Sequence, residues 1–272
     1  MTKANETLWR YYEEYGEARG RLAVALLSST ANIRGAKVLD FGAGTGGASL
    51  AAAQQGAQVF AVEIDAQKRA ALARRTSGYS VQLFENLEDA VSAAGYFEAV
   101  ILADVLEHLS DAERLLSSLA RCLSPRGVIF LSTPNRCSPI NLLCDPHYSL
   151  PLLSLLKREN VRRMAVLFAG APRDKSDWPE LLSLNQLERL AKEAGFSLRL
   201  VHRQAVRYGL LHPQALWNRP VHLKIILGLK HLRLERLLLA LISDAPNLWN
   251  RFMMPTFYLL MQKRPAGDSD RP

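Results

Sequence analysis

Residues 38–47 join an apolar run to a glycine-rich stretch whose residue types suit the binding of a nucleotide. Asp40 precedes four glycines, Gly42, Gly44, Gly46 and Gly47. Glycines let the backbone approach a ligand closely, and a helix that follows aims its first amide N–H groups at it. Glu63 follows the next apolar run, where a carboxylate can accept hydrogen bonds from both hydroxyls of a ribose. The spacing indicates a nucleotide site; the alternative is a set of glycines that serve only a tight turn.

These residues leave two types of nucleotide open. Gly42-x-Gly44-x-x-Gly47 also satisfies the dinucleotide pattern, so an NAD-dependent oxidoreductase is an alternative. Asp40 disfavours it, because a carboxylate is poorly suited to a pyrophosphate but well suited to an α-amino group or the water around it. The chain after the loop also has no Tyr-x-x-x-Lys pair of the kind that a short-chain dehydrogenase uses.

A second set of residues able to do chemistry follows the fourth apolar run. Asp104, Glu107 and His108 are spaced i, i+3, i+4, which predicts one shared face of a helix or helical turn, and His147 occurs further on. Two carboxylates and two imidazoles would suit Mg²⁺, Mn²⁺, Fe²⁺ or Zn²⁺. Two alternatives stay open: His108 as a general base without a metal, and a structural role in which Asp104 caps a helix and Glu107 reaches back to it.

The elements that must position these residues alternate between strand and helix. Short apolar runs bounded by turn residues predict strands at 37–41, 58–62, 80–84, 97–103, 127–132, 196–202 and 255–263. Helices are predicted at 6–30, 48–55, 66–76, 111–123 and 183–194. Ser110 and Glu113 have the spacing of a capping box for the fourth of these helices. The alternation predicts a doubly wound α/β sheet with right-handed crossovers.

Several of these motifs together resemble the class I S-adenosylmethionine-dependent methyltransferases. They are Asp40-Phe41-Gly42-x-Gly44-x-Gly46, Glu63, Phe97-Glu98-Ala99-Val100 and Asp104-Val105-Leu106-Glu107-His108-Leu109. Ser132-Thr133-Pro134-Asn135-Arg136 resembles the branch that contains the ubiquinone-biosynthesis O-methyltransferases. The resemblance is specific over 35–136, looser over 181–202 and 255–263, and gives no guidance for 205–250.

The resemblance implies a seven-stranded sheet in the order 3-2-1-4-5-7-6, with the last strand antiparallel and helices on both faces. A helical cap insertion is expected in addition, from the Leu-rich segment 205–250. The resemblance also implies S-adenosyl-L-methionine as the cofactor, with the glycine loop under its methionine part and Glu63 on its ribose. The other cofactor-binding residues expected are Asp40, Gly42, Gly44, Gly46, Glu85, Asn86 and Asp104, with Glu85 and Asn86 facing the adenine.

A related resemblance, to metal-assisted methyltransferases that act on vicinal hydroxyls, implies a metal site. Its ligands would be Asp104, Glu107, His108 and His147, with Asp104 standing where those enzymes have Glu. Glu107, His108 and His147 are accordingly the expected catalytic residues. The expected reaction is O-methylation of a small or amphipathic acceptor hydroxyl. The alternatives are the NAD-dependent oxidoreductase and a non-catalytic binding protein with the methyltransferase fold, which the intact glycines and Glu63 disfavour.

We expect residues 1–34 to form an N-terminal helical cap, 35–263 the methyltransferase domain, and 264–272 a disordered tail. Within the domain, the loop 133–180 and the helical insertion 205–250 are expected to cover the substrate or form an interface. His202, His212, His222 and His231 lack ligand-like spacing and are expected at the surface.

The formal net charge of +8 is concentrated towards the carboxyl end. The basic residues of 199–236 outnumber its single acid, Glu235, and are Arg199, Arg203, Arg207, Arg219, Lys224, Lys230, Arg233 and Arg236. The Leu-rich segment 208–250 contains most of these basic residues. Its composition predicts a lid or homodimer interface, or peripheral contact with an anionic membrane and a lipid-like acceptor. Nucleic acid is disfavoured, because aromatic residues are not interleaved with the basic ones.

The expected location is the cytoplasm, with or without peripheral membrane association. Three cysteines do not make a disulfide framework in a chain of this length. No uninterrupted apolar run reaches the roughly 18 residues of a spanning helix, and residues 1–10 lack the apolar core of a signal peptide.

Overall fold

A computed structural model describes residues 3–175, 177–216, 224, 227–228 and 230–264, with side chains from residue 13 onward. Its strands are β1 (Lys37–Phe41), β2 (Gln58–Val62), β3 (Val81–Phe84), β4 (Phe97–Ala103), β5 (Leu123–Pro134), β6 (Phe196–Leu200) and β7 (Thr256–Lys263). They form one seven-stranded sheet in the order β3-β2-β1-β4-β5-β7-β6. β1 pairs in parallel with β2 and β4, whereas β7 pairs antiparallel with β6. The predicted strand order and the antiparallel last strand are confirmed.

Helices separate the strands along the chain. They are α1 (Lys3–Ser28), α2 (Gly47–Gln54), α3 (Ala66–Arg75), α4 (Leu87–Ala94), α5 (Ala112–Cys122), α6 (Pro139–Leu143), α7 (Arg158–Phe168), α8 (Leu184–Glu193), α9 (His202–Leu211), α10 (Glu235–Leu241) and α11 (Leu248–Phe252). Several begin at a side chain that binds otherwise unpaired amides. Asp65 accepts from the amides of Gln67 and Lys68 at the start of α3, and Ser183 with Gln186 forms a capping box at α8.

The described chain divides into two compact units. The first comprises Met1–Ala103, Arg121–Phe130 and Arg203–Ile242, and the second comprises Asp104–Ala120, Leu131–His202 and Ser243–Pro272. In the first unit the fully buried side chains include Leu39, Leu72, Phe97 and Ile101. In the second they include Leu116, Phe196 and Phe257. Each unit therefore has apolar side chains sequestered from water, the main favourable term in folding.

Several predicted elements differ from the structure. β5 is longer than the predicted 127–132. Its first residues were not predicted because they are partly exposed and do not form an apolar run. The cap of α5 is Asp111, whose carboxylate accepts from the Arg114 amide at 2.8 Å, so the capping box at Ser110 was wrong. The loop 133–180 contains α6 and α7. Finally, β6 ends at Leu200 and His202 begins α9.

His202 is buried, so its predicted surface position was wrong. Its side chain is 0 % exposed, and its Nδ1 lies 3.1 Å from Asn250 Oδ1. The ring also stacks on Phe257, with ring centroids 5.9 Å apart. A hydrogen-bond partner and an aromatic neighbour permit the burial, which lowers the pKa of His202. His212 and His231 are exposed, as predicted.

Helix α1 packs closely on the glycine loop and the start of α2, within the first unit. A Cβ atom on Gly20 would lie 2.3 Å from the carbonyl carbon of Gly47, so neither backbone could keep its position. Arg75 adds a polar link. Its Nη1 donates to the Thr45 carbonyl at 2.9 Å, and its Nη2 donates to Glu17 Oε2 on α1 at 2.8 Å. Small residues and one guanidinium thus hold α1 against the loop.

Some predictions fall outside the described residues. They concern the predicted tail beyond Arg264 and most of residues 217–229 in the helical insertion, including His222. The proposed domain boundaries stay predictions. All three cysteines are free thiols. Among the helices of the described chain, none combines the length and hydrophobicity needed to cross a bilayer.

Candidate active site

The glycine loop follows β1 and has the backbone that only glycines adopt easily. Gly42, Gly44 and Gly46 have φ angles of 76°, 56° and 86°. A Cβ atom on Gly44 would meet no protein atom within 4 Å, whereas one on Gly46 would lie 2.8 Å from Leu72 Cγ. Gly46 therefore permits packing on α3, and Gly44 leaves open space at the loop.

Glu63 comes directly after β2 and binds this loop. Its Oε2 accepts from the Gly44 amide at 2.7 Å, and its Oε1 accepts from the Asp65 amide at 2.8 Å. The side chain is buried, so the carboxylate has a fixed position beside the glycines. Each carboxylate oxygen retains a further acceptor site, as contacts with ribose hydroxyls would require.

Asp40 lies within β1 and is almost completely buried. Ser49 Oγ on α2 donates to its Oδ2 at 2.6 Å. Burial raises the pKa of Asp40 to about 6; the Ser49 hydrogen bonds oppose this shift and the Glu63 charge adds to it. A buried carboxylate of this kind is stabilised by a nearby cation such as an ammonium group.

Glu85 and Asn86 follow β3, as predicted for an adenine-facing turn. Arg69 joins this turn to the end of β2, because it pairs with Glu85 and donates to the Glu63 carbonyl at 2.7 Å. Asn86 Oδ1 caps α4 by accepting from the Asp89 amide at 2.9 Å. The sequence analysis did not single out Ile64, an apolar residue that follows Glu63 and is 85 % exposed.

The second candidate group lies in the second unit and is centred on Glu107. Glu107 and His108 belong to a 3₁₀ turn, Leu106–His108. Thr133 Oγ1 on β5 donates to Glu107 Oε2 at 2.8 Å, while the buried Oε1 has no hydrogen-bond partner among the described residues. Burial raises the pKa of Glu107 to about 7, and the nearby Asp104 charge adds to the shift.

His108 and His147 lie beside this carboxylate. Their rings are edge to face with centroids 5.1 Å apart. One possible ligand atom from each of Glu107, His108 and His147 lies within 4.8 Å of the others. Burial and the neighbouring His108 lower the pKa of His147 to about 4, so this imidazole is neutral at pH 7. Its buried Nδ1 makes no hydrogen bond within the described chain and lies 3.9 Å from Asp145 Oδ1.

Asp104 does not join that group of three, although it is close enough to influence the Glu107 pKa. Its φ of 56° places it in the left-handed region, so it does not share one helical face with Glu107 and His108. Its Oδ1 accepts from Ser132 Oγ at 2.9 Å. The 3₁₀ turn is preceded by Val105 without a side-chain cap, so the proposed capping box between Asp104 and Glu107 was wrong.

Asp177 is a member of this cluster that the sequence analysis missed. Its Oδ1 lies 2.7 Å from His108 Nδ1, although 69 residues separate them. Burial opposes charge on His108, but the Asp177 hydrogen bond and the Glu107 charge outweigh it and raise the pKa of His108. The local sequence contains no signal for this pair, since an acid in a polar segment is usually solvated.

The three residues fit a divalent cation. A buried carboxylate oxygen and a buried imidazole nitrogen without partners, beside a second imidazole, offer donors that a cation would satisfy. Two imidazoles and one carboxylate suit Fe²⁺, Mn²⁺ or Zn²⁺ better than Mg²⁺, which prefers oxygen ligands.

Comparison with known proteins identifies the family. Residues 10–201 match a family model described as a methyltransferase domain. The ubiquinone biosynthesis O-methyltransferase of Thiobacillus denitrificans is 29% identical over 206 residues, covering 72% of this chain and 81% of that protein. The enzyme of that name from Xanthomonas oryzae pv. oryzae is 39% identical over 116 residues. The match covers 40% of this chain and 48% of that enzyme, about half of its length.

A solved structure supports the fold. The S-adenosylmethionine dependent methyltransferase from Mesorhizobium loti superposes with a TM-score of 0.53 at 14% identity, covering 89% of this chain and 96% of that one. The family match, which spans more than half of the chain, favours methyl transfer over the oxidoreductase and the non-catalytic binding protein. The chain belongs to the methyltransferase-domain family and is a class I S-adenosylmethionine-dependent methyltransferase.

Proposed function

We propose that this protein transfers a methyl group from S-adenosylmethionine to a hydroxyl oxygen of a small or amphipathic acceptor. Glu107, His108 and His147 would activate that oxygen. The observation that carries the proposal is the pair of buried atoms without partners, Glu107 Oε1 and His147 Nδ1, among the described residues. Each such atom costs about 1–3 kcal/mol when unsatisfied. A bound acceptor, or a cation that binds the acceptor, would satisfy both.

The chemistry explains why these side chains are needed. Methyl transfer from a sulfonium is an in-line displacement at carbon, for which the oxygen must present a free lone pair. The hydroxyl proton must therefore leave, and a neutral imidazole within reach can accept it. His147 is neutral near pH 7, so one of its ring nitrogens has a lone pair that can accept a proton or bind a cation. A divalent cation held by Glu107, His108 and His147 would instead lower the pKa of the acceptor hydroxyl.

Two further observations support an aromatic, lipid-like acceptor. The two relatives described above are O-methyltransferases of ubiquinone biosynthesis. In this chain, Tyr148 and Trp178 stack with ring centroids 6.1 Å apart, and the Tyr148 ring lies 6.4 Å from that of His147. Aromatic side chains favour aromatic ligands through offset or edge contacts.

For the cofactor, we propose that Asp40 balances the α-ammonium group, directly or through water, and that Gly42, Gly44 and Gly46 lie against the methionine part. Glu63 would accept hydrogen bonds from the ribose. Glu85 and Asn86 would complete the site at the adenine. The open space at Gly44 and the fixed carboxylate of Glu63 support this arrangement.

The test combines product analysis with chelation. The purified protein is incubated with methyl-labelled S-adenosylmethionine and a catechol that carries a prenyl chain, and the product is analysed by mass spectrometry. We expect label on oxygen and a rate for His147→Ala at least about 100-fold lower, the size of general-base or metal effects. The exposed His212→Ala is the matched control.

Chelation separates the two mechanisms. Loss of activity in EDTA that Mn²⁺, Fe²⁺ or Zn²⁺ restores would indicate a cation, whereas EDTA insensitivity would indicate a histidine base. Label on nitrogen or carbon would contradict O-methylation. Wild-type rates for both His108→Ala and His147→Ala would contradict the role of the cluster.

A further inference from the structure

The contact between His108 and Asp177 determines which nitrogen of His108 carries a proton. The two atoms, His108 Nδ1 and Asp177 Oδ1, are 2.7 Å apart. Asp177 is half-exposed, and an aspartate side chain is ordinarily a carboxylate near neutral pH. A carboxylate can only accept a hydrogen bond, and therefore His108 Nδ1 must be the donor.

The backbone on both sides of this contact is anchored by one residue, Arg158. Its Nη1 donates to the His108 carbonyl at 3.0 Å and also to the Trp178 carbonyl. Its Nη2 donates to the Leu109 carbonyl at 2.6 Å. One guanidinium thus binds the backbone of His108, whose ring is the donor, and that of Trp178, which follows the acceptor Asp177.

The segment that carries Asp177 is tied down on its other side as well. Trp178 is 5 % exposed, and the Glu180 amide donates to the Glu107 carbonyl at 2.8 Å. The Glu180 carboxylate in turn accepts from the Arg158 amide at 3.0 Å. Although Asp177 itself is half-exposed, the chain around it is held against the 3₁₀ turn of His108.

We propose that Asp177 is a positioning residue that holds neutral His108 as its Nδ1–H tautomer and leaves the lone pair on Nε2 for the reaction. This inference rests on the proposed function, in which His108 belongs to the group that activates the acceptor. Carboxylates that accept a hydrogen bond from one ring nitrogen orient the ring and make the other nitrogen more basic. The same arrangement serves a histidine base and a histidine that binds a cation.

The direct test is the tautomer itself, measured by ¹⁵N NMR on the full chain with labelled histidine, without added metal, at mildly alkaline pH. The His108 signals are assigned as those absent from His108→Gln. In the wild-type protein we expect a protonated, pyrrole-type Nδ1 and an unprotonated, pyridine-type Nε2. In Asp177→Ala we expect these shifts to move towards each other or exchange, as the second tautomer becomes populated.

Kinetics provide the second readout. Asp177→Ala should lower kcat by about 10- to 100-fold, the range for losing such a partner, with unchanged affinity for S-adenosylhomocysteine. Asp177→Glu should restore part of the rate, since it keeps the acceptor. Asp174→Ala, which removes an exposed acid from the same segment, should behave as wild type.

The outcomes are distinct. Wild-type nitrogen shifts in Asp177→Ala would overturn the positioning role, and so would a kcat within about twofold of wild type. If the protein methylates no hydroxyl, the proposed function fails, while the NMR result still decides whether Asp177 sets the tautomer.

Discussion

Gly44 combines a left-handed backbone with open space at its Cα. Gly44→Ala would place a methyl group where we propose that the cofactor lies, and should weaken S-adenosylhomocysteine binding at least tenfold. The strain of the left-handed conformation costs about 1–2 kcal/mol. Gly35→Ala controls for it, because Gly35 has a φ of 74°, equally open space and a place before β1 instead of after it. Calorimetry measures both variants.

The outcomes of this experiment also address the cofactor. Equal losses in the two variants would mean that strain alone acts and that Gly44 does not line the site. NAD should bind neither the wild-type protein nor the variants.

Asp40 predicts how cofactor affinity depends on pH. Its pKa is raised to about 6 by burial, and an ammonium group beside it would favour the carboxylate. Binding should therefore release a proton. Affinity for S-adenosylhomocysteine should be highest above pH 6 and fall up to about tenfold per pH unit below it. Calorimetry in buffers of different ionisation enthalpy measures both effects.

Asp40→Asn should bind more weakly and lose this dependence. A wild-type affinity that is flat from about pH 5 to 7.5 would contradict the prediction. In the unliganded protein, folding stability depends on pH in the opposite direction to cofactor affinity. The folded state holds the proton more tightly than the unfolded chain, so stability falls as the pH rises from the ordinary aspartate range to about 6.

Not every site residue could be predicted from its neighbours in sequence. Asp40 and Glu63 could, because the strand, loop and helix that bring them together are consecutive. Asp177 could not, because its contact with His108 closes over 69 residues and depends on the anchoring of both segments by Arg158. The position of Asp104 was missed for another reason, since i, i+3, i+4 spacing implies one face only if the backbone is helical throughout.

At the scale of elements, the packing of α1 on α2 gives a matched pair of mutations. Gly20→Ala places a Cβ 2.3 Å from the carbonyl carbon of Gly47, a backbone atom that cannot move aside alone. Gly16→Ala, one turn earlier, meets only Thr45 Oγ1, at 3.6 Å. We expect Gly20→Ala to lower the free energy of unfolding by about 1–3 kcal/mol through overpacking.

Gly16→Ala should instead be neutral or stabilising by up to about 1 kcal/mol, because alanine favours helix. Urea unfolding monitored by circular dichroism distinguishes them. Equal midpoints for the two variants would show that α1 does not pack on the loop in solution.

Strands were predicted better than the segments between them. Buried parallel strands appear as continuous apolar runs, and β1, β2 and β4 have the predicted bounds. The start of β5 is partly exposed, so hydrophobicity does not mark it. Helix α7 was missed because it lies in a segment whose beginning is rich in Pro and Asn, while only Val161 and Ala165 of its residues are buried.

For the whole molecule, the excess of positive charge on the Leu-rich segment predicts association with anionic vesicles. Leu232, Leu237 and Leu241 are exposed there, beside basic side chains. Replacing Lys224, Lys230, Arg233 and Arg236 with Gln should reduce co-sedimentation with phosphatidylglycerol vesicles. Added salt should reduce it too, because it screens exposed charges.

The control replaces Lys68, Arg74, Arg114 and Arg126 with Gln, the same change in net charge at exposed residues elsewhere. Equal effects of the two sets would show that only total charge acts. Negligible sedimentation of the wild-type protein, together with a uniform dimer in solution, would favour a subunit interface.

The link between Glu17, Arg75 and Thr45 joins the N-terminal helix to the loop on which we propose that the cofactor lies. Whatever orders the carbonyl of Thr45 also orders the guanidinium that holds α1. A ligand that binds at this loop would therefore be coupled to the docking of α1, and each would stabilise the other by the same free energy. Loss of such a ligand should loosen α1 and expose Leu22 and Leu26, two buried apolar residues of this helix, to proteases.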